Sequence, residues 1–197
     1  MNIPNQLTLL RIIMTPLFLL TLVWEFPFHY FVALFIFIAA SLTDMWDGRI
    51  ARKQNLITDF GKFLDPIADK MLTTSAFLGF MVLGHGKGIV WITFSVLTRE
   101  FMVASIRMMA AKKGSVIAAD MWGKVKTVVQ MVAIIMVMAF HGFMDLFARY
   151  LPSWGEVLNT PMEILYNLAL WLSAVLTVIS GINYWWKNRD CMDFTKL

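Results

Sequence analysis

Six apolar runs, each about as long as a bilayer is thick, occupy nearly the whole of this chain. A helix needs about 20 predominantly apolar residues to cross the hydrocarbon core, and segments at roughly 6–24, 29–47, 64–84, 88–110, 121–143 and 162–185 meet that requirement. Of the 197 residues 59% are hydrophobic and only 15% charged, and the mean hydropathy is +0.67, too apolar for a soluble domain of this size. The expected fold is therefore an all-α integral membrane protein with six transmembrane helices in a single domain spanning 1–197. Arg11 interrupts the first run and no small-residue cleavage site follows it, so this run reads as the first membrane helix rather than a cleaved leader.

The connections are short. Glu25-Phe26-Pro27, Gly84 to Gly88 and Ala111 to Asp120 read as turns, and only Met144 to Pro161 is expected to form a longer amphipathic link. Arg49, Arg52, Lys53 and Lys62 lie between the second and third runs, Lys112 and Lys113 after the fourth, and Lys187 and Arg189 after the sixth; the opposite side has Lys87 and Arg149. By the positive-inside bias both termini should be cytoplasmic, as should the connection between the second and third helices, on the inner face of the cell membrane. The net charge is +4 and the basic residues are interspersed with apolar runs, a pattern that suits membrane lipids or phosphorylated partners and not nucleic acid. A single cysteine, Cys191, rules out an intrachain disulfide framework.

Against this background the acids are clustered. Of thirteen acidic residues, five fall within the twenty-six positions 44–69, and four of these form two close pairs: Asp44, Asp47, Asp65 and Asp69. Spacings of three and four place each pair on one helical face, so two adjacent helices can present four carboxylates together. Carboxylates that close, at membrane depth, need cations to neutralise them. Hard carboxylate oxygens suit Mg2+ or Mn2+, which commonly bridge protein carboxylates and substrate phosphates. Each acid also has a plain structural reading: Asp47 before Gly48 fits a turn, and Asp65 before Pro66 fits an N-cap with proline at the first helical position. Gly48 and Gly61 permit close approach of a ligand or of a neighbouring helix.

The pattern Asp44-x-x-Asp47-Gly48-x-x-Ala51-Arg52, eight residues, Gly61-x-x-x-Asp65-x-x-x-Asp69 resembles the signature of the CDP-alcohol phosphotransferase family, with every fixed position met. The opening Asn2-Ile-Pro4-Asn5-Gln-Leu-Thr8-Leu-Leu-Arg11, the stretch from Thr98-Arg99-Glu100 to Arg107 and Gly123-Lys124-Val-Lys126-Thr127 look like the branch that makes phosphatidylglycerophosphate. That resemblance implies a six-helix bundle, usually homodimeric, transferring the phosphatidyl group of CDP-diacylglycerol to sn-glycerol 3-phosphate with release of CMP. It further implies that Asp44, Asp47, Asp65 and Asp69 hold two divalent ions, with Asp69 also the general base. Gly48, Arg52, Gly61, Thr8 and Asn5 would contact the CDP moiety, although Arg52 also fits a positive-inside anchor.

Arg99 and Arg107, eight apart, share a face of the fourth helix, which a helix facing only lipid would not tolerate. Together with Lys124 and Lys126 they suit the phosphate of the acceptor. Two plainer readings stand beside this one: both lysines snorkel to headgroups, and Arg99 forms an internal ion pair. His29, His85 and His141 fall at outer loops or helix ends and are assigned no ligand role. Two other classes share some of these features. A divalent-cation transporter would repeat carboxylates near mid-membrane on several helices, whereas these gather at one interface. A structural membrane protein would carry the acid cluster at a cost with no return.

Overall fold

The computed structural model describes the backbone of residues 3–54, 59–112, 117 and 121–189, and the side chains of these except 3–5, 44–54, 59–66, 69, 112 and 156. Among the described residues six helices run in order: α1 (Ile3–Val23), α2 (His29–Gln54), α3 (Asp59–Leu83), α4 (Ile89–Lys112), α5 (Met121–Tyr150) and α6 (Pro152–Lys187). Four of them contain stretches long and apolar enough to cross a membrane: Gln6–Val23, Ile89–Ala111, Met121–Tyr150 and Val157–Lys187. Helices α2 and α3 contribute shorter apolar stretches, His29–Thr43 and Lys70–Leu83. At 1.5 Å per residue the 26 residues of α2 extend about 39 Å, more than a hydrocarbon core of about 30 Å, so its polar half has length to spare beyond the apolar layer.

Two boundaries differ from the sequence expectation. The acidic motif was placed at the end of one helix and the start of the next, but α2 continues through Arg52 to Gln54 and α3 begins at Asp59. Asp65 and Pro66 consequently lie inside α3, and the N-cap reading of Asp65 does not hold. The link expected over Met144 to Pro161 is also absent. Helix α5 runs to Tyr150, with Asp145 and Arg149 paired across one turn at 3.4 Å. Leu151 alone makes the corner, its N–H donating to the Phe147 carbonyl at 2.8 Å. Pro152 then opens α6, where a missing N–H costs nothing, and Pro161 is accommodated within the helix. Polar and proline residues suggested a loop, yet every one of them fits a helix end or a helix face.

Helix α1 packs on α2 and α3, α5 on α6 and α2, and α4 on α6. Phe18, Phe37, Phe77, Ile92, Met138 and Leu170 fill the shared core. Outside, Phe35, Val82, Trp91 and Phe101 project with about 70% of their surface free, an apolar exterior suited to lipid rather than water. Buried hydroxyls bond back to the preceding turn, as Thr15 does to the Arg11 carbonyl and Thr177 to that of Ser173, which matches these donors within the apolar layer.

The end of the bundle away from the acidic motif is closed by aromatic and imidazole rings. The α3–α4 turn takes positive φ at Gly84, Gly86 and Gly88, and a Cβ on Gly86 would come within 2.8 Å of Leu170. That turn sets His85 beside Tyr30, with the phenol oxygen 2.6 Å from Nε2, and stacks it on His141 at 3.5 Å between ring centroids. His29 donates from Nδ1 to the Leu22 carbonyl at 3.2 Å. Burial first, and then neighbouring His141 and His29, hold the His85 imidazole down at about 3, so it is neutral at any physiological pH.

Candidate active site

The other end of the bundle holds a cavity of about 480 Å³ lined by polar side chains from all six described helices, α2 contributing Ser41. Arg11 comes from α1, Lys70 and Thr73 from α3, Arg99, Glu100 and Arg107 from α4, Lys124, Lys126 and Gln130 from α5, and Tyr184 from α6. Every contributing segment lies toward the same end, because α1, α3 and α5 enter there while α2, α4 and α6 leave. All four of the basic residues expected to act together, Arg99, Arg107, Lys124 and Lys126, line this one space. Two further cations, Arg11 and Lys70, were not assigned to it from sequence. Arg11 reads in the sequence as a charge inside an apolar run and as part of the opening motif, and Lys70 is given no role there.

The cations are held unequally. Lys126 is buried, at 4% exposure, and its ammonium donates to Glu100 Oε1; it does not snorkel to headgroups. Arg99 lies 3.1 Å from the same carboxylate oxygen, so the internal ion pair foreseen for Arg99 forms. Its Nη2 donates to Ser180 at 3.0 Å. Glycines from two helices flank this guanidinium: a Cβ on Gly123 would lie 3.2 Å from Arg99 Nη2, and one on Gly181 3.1 Å from its Cγ. Arg107 donates from Nε to the Tyr184 hydroxyl at 3.3 Å and lies over that ring. Lys124 is exposed at the rim. Glu100 thus fixes Arg99 and Lys126 beside each other, and among the described residues lining the cavity positive charge is in excess, which suits a phosphate.

Helices α2 and α3 carry the acidic motif to this end. Asp44 and Asp47 belong to α2, and Asp65 and Asp69 to α3, both of which pack on α1. Ser41, one turn before Asp44, lines the cavity, as do Lys70 and Thr73 immediately after Asp69. The side chains of Asp44, Asp47, Asp65 and Asp69, and likewise of Asn5, Gly48, Arg52 and Gly61, lie outside the described residues. Thr8 is buried on the inner face of α1, one turn before Arg11. Four aspartates on two helices are residues of the type whose hard oxygens suit a divalent cation.

The sequence matches the family model described as CDP-alcohol phosphatidyltransferase over residues 1–179. It is 35% identical over 203 residues to the CDP-diacylglycerol–glycerol-3-phosphate 3-phosphatidyltransferase of Bacillus subtilis, with 97% of each chain covered. It is 40% identical over 186 residues to a probable phosphatidylglycerophosphate synthase of Mycobacterium tuberculosis, covering 93% of this chain and 79% of that one. A third relative, from Rickettsia bellii and bearing the same name as the Bacillus protein, is 36% identical over 184 residues, with 93% of each chain covered. Members of the family generally use divalent metal ions. The chain, an all-helical membrane protein with an acidic motif on two helices and a basic cavity beside it, therefore belongs to the CDP-alcohol phosphatidyltransferase family and is a transferase.

Proposed function

We propose that this protein transfers the phosphatidyl group of CDP-diacylglycerol to sn-glycerol 3-phosphate, forming phosphatidylglycerophosphate and CMP in phospholipid biosynthesis. The observation that carries the acceptor assignment is the cavity at the motif end, which among the described residues is lined by six cations and one carboxylate. A phosphorylated alcohol satisfies that charge, whereas the ammonium of serine would be repelled by it. The names of the relatives point to the same pair of substrates.

In this reading the chain is one catalytic domain with six membrane spans, a pair of which is made by α2 and α3 with their polar halves at the interface. Both termini and the active site face the cytoplasm of the cell, and the protein works as a homodimer. Asp44, Asp47, Asp65 and Asp69 would hold two Mg2+ or Mn2+ ions, whose contribution when bound is to neutralise the pyrophosphate and the charge that develops on it. Asn5, Thr8, Gly48, Arg52 and Gly61 bind the CDP moiety. Arg99, Arg107, Lys124 and Lys126 orient the acceptor by its phosphate. Asp69 takes the proton of the acceptor hydroxyl as that oxygen bonds to the diacylglycerol-bearing phosphorus, and the bond to the CMP oxygen breaks with its electron pair.

Purified protein supplied with CDP-diacylglycerol and, separately, glycerol 3-phosphate, inositol phosphate, serine or phosphatidylglycerol tests the assignment. Turnover is expected with glycerol 3-phosphate; turnover with serine alone would overturn it. Asp69→Asn should lower kcat by about 10²–10⁴, the usual contribution of a general base, with folding retained. Undiminished CMP release would remove Asp69 from that role.

A further inference from the structure

Among the described residues the cavity is rich in cationic donors. A phosphate accepts hydrogen bonds from every cation there, but a free hydroxyl on the acceptor also has a proton to place. Apart from Gln130, each described side chain that brings an oxygen to the cavity already has a protein partner. Glu100 takes Lys126 and Arg99, and the Tyr184 hydroxyl takes Arg107. The hydroxyls of Ser41, Thr73 and Thr127 donate to the carbonyls of Phe37, Lys70 and Gly123, at 2.8, 3.3 and 2.9 Å. Gln130 is different. It sits one turn beyond Lys126 on α5, about 6 Å deeper along the axis, and it lines the cavity at 2% exposure. Its carboxamide makes no hydrogen bond among the described residues.

A buried carboxamide has one oxygen to accept with and two N–H groups to donate, and leaving it unmatched in an apolar layer is costly. It is also uncharged, so it can read a hydroxyl without competing for the phosphate. We infer that Gln130 is a specificity-determining residue that hydrogen-bonds the middle hydroxyl of a phosphorylated triol acceptor, while the cations hold its phosphate. The inference rests on the acceptor reading given above. It also accounts for a neutral amide placed behind Lys126 where another cation or an apolar residue would otherwise complete the wall.

The test pairs two acceptors with two enzymes. Glycerol 3-phosphate and 3-hydroxypropyl phosphate share the phosphate and the attacking primary hydroxyl, and differ only in the middle hydroxyl. The native protein, assayed in detergent micelles with CDP-diacylglycerol and Mg2+, should favour glycerol 3-phosphate in kcat/KM by about 10-fold or more. In Gln130→Met, close in size and apolar, kcat/KM for glycerol 3-phosphate should fall by about that factor, with 3-hydroxypropyl phosphate changed less than about twofold, so the preference disappears. Equal losses on both acceptors, or an unaltered preference, would overturn the role of Gln130. The native protein also provides a test independent of the variant's folding, because equal use of the two acceptors by it excludes any reader of the middle hydroxyl. If it turns over neither acceptor but does use another alcohol, the acceptor reading falls and this inference with it.

Discussion

Glu100 shows how one side chain can set the character of a site. Its carboxylate meets Lys126 and Arg99, and the side chains of the three are only 16%, 5% and 11% exposed. Burying a lone cation is expensive, and one carboxylate shared by two cations neutralises half of that charge while leaving the rest for a ligand. Glu100→Gln keeps the shape and removes the charge, so two cations are left close together at low exposure. Loss of about 3 kcal/mol of stability is expected, in the range for breaking a buried pair. Thermal unfolding in detergent measures it, and an unchanged midpoint would show that water entering the cavity already screens the three groups. Sequence reading had Glu100 only as a neighbour of Arg99, because adjacency in sequence did not reveal Lys126 as its second partner.

At the scale of elements, the two ends of the bundle are built on opposite principles. The motif end gathers charges around a cavity; the far end packs neutral rings tightly enough that none needs a counterion. The sequence places all three histidines at loops or helix ends with no ligand role; His29 opens α2 and His85 lies in the α3–α4 turn, but His141 lies inside α5, which continues to Tyr150. What sequence did not show is that they converge on Tyr30. His85 supplies a pH signature. Its folded-state value of about 3 lies below the ordinary 6.5, so between these values the unfolded chain binds a proton that the folded one does not. Stability should therefore decline as pH falls from 6.5 toward 3, and this group should contribute no slope above 6.5. Unfolding midpoints of the native protein and His85→Gln across that range check this, with a shallower acid slope expected in the variant. Parallel slopes would show that His85 is not the group responsible.

For the molecule as a whole, orientation is the property that joins fold to chemistry. The cavity lies at the end of the bundle where α2 ends and α3 begins, and the proposal that this end faces the cytoplasm rests on the positive-inside bias of the sequence. Cys191 is the only cysteine in the chain and so a native reporter for the C-terminal side. A membrane-impermeant maleimide should label it in inverted membrane vesicles and leave it unlabelled in intact spheroplasts. The reverse pattern would place the C-terminus, and the cavity end with it, outside.

The sequence by itself determined what is set by local composition and spacing: apolar runs that must be helices in a bilayer, an acidic motif of two faces, and arginines that no lipid-facing helix would carry. It located the helices in order and the family through motif spacing. The tertiary structure decided what depends on packing between distant elements. A polar residue such as Asp145, or a proline such as Pro152, suits a loop and a helix end equally well, and only the continuation of α5 to Tyr150 against α6 chose between them. Arg11 and Lys70 join Arg99 and Lys126 because the helices that carry them meet at one end, a juxtaposition no spacing along the chain encodes. Gln130 reads as one more polar residue in an apolar helix until its neighbours are known to be committed elsewhere. Helical periodicity fixes which residues share a face, but only the assembled bundle fixes what that face meets.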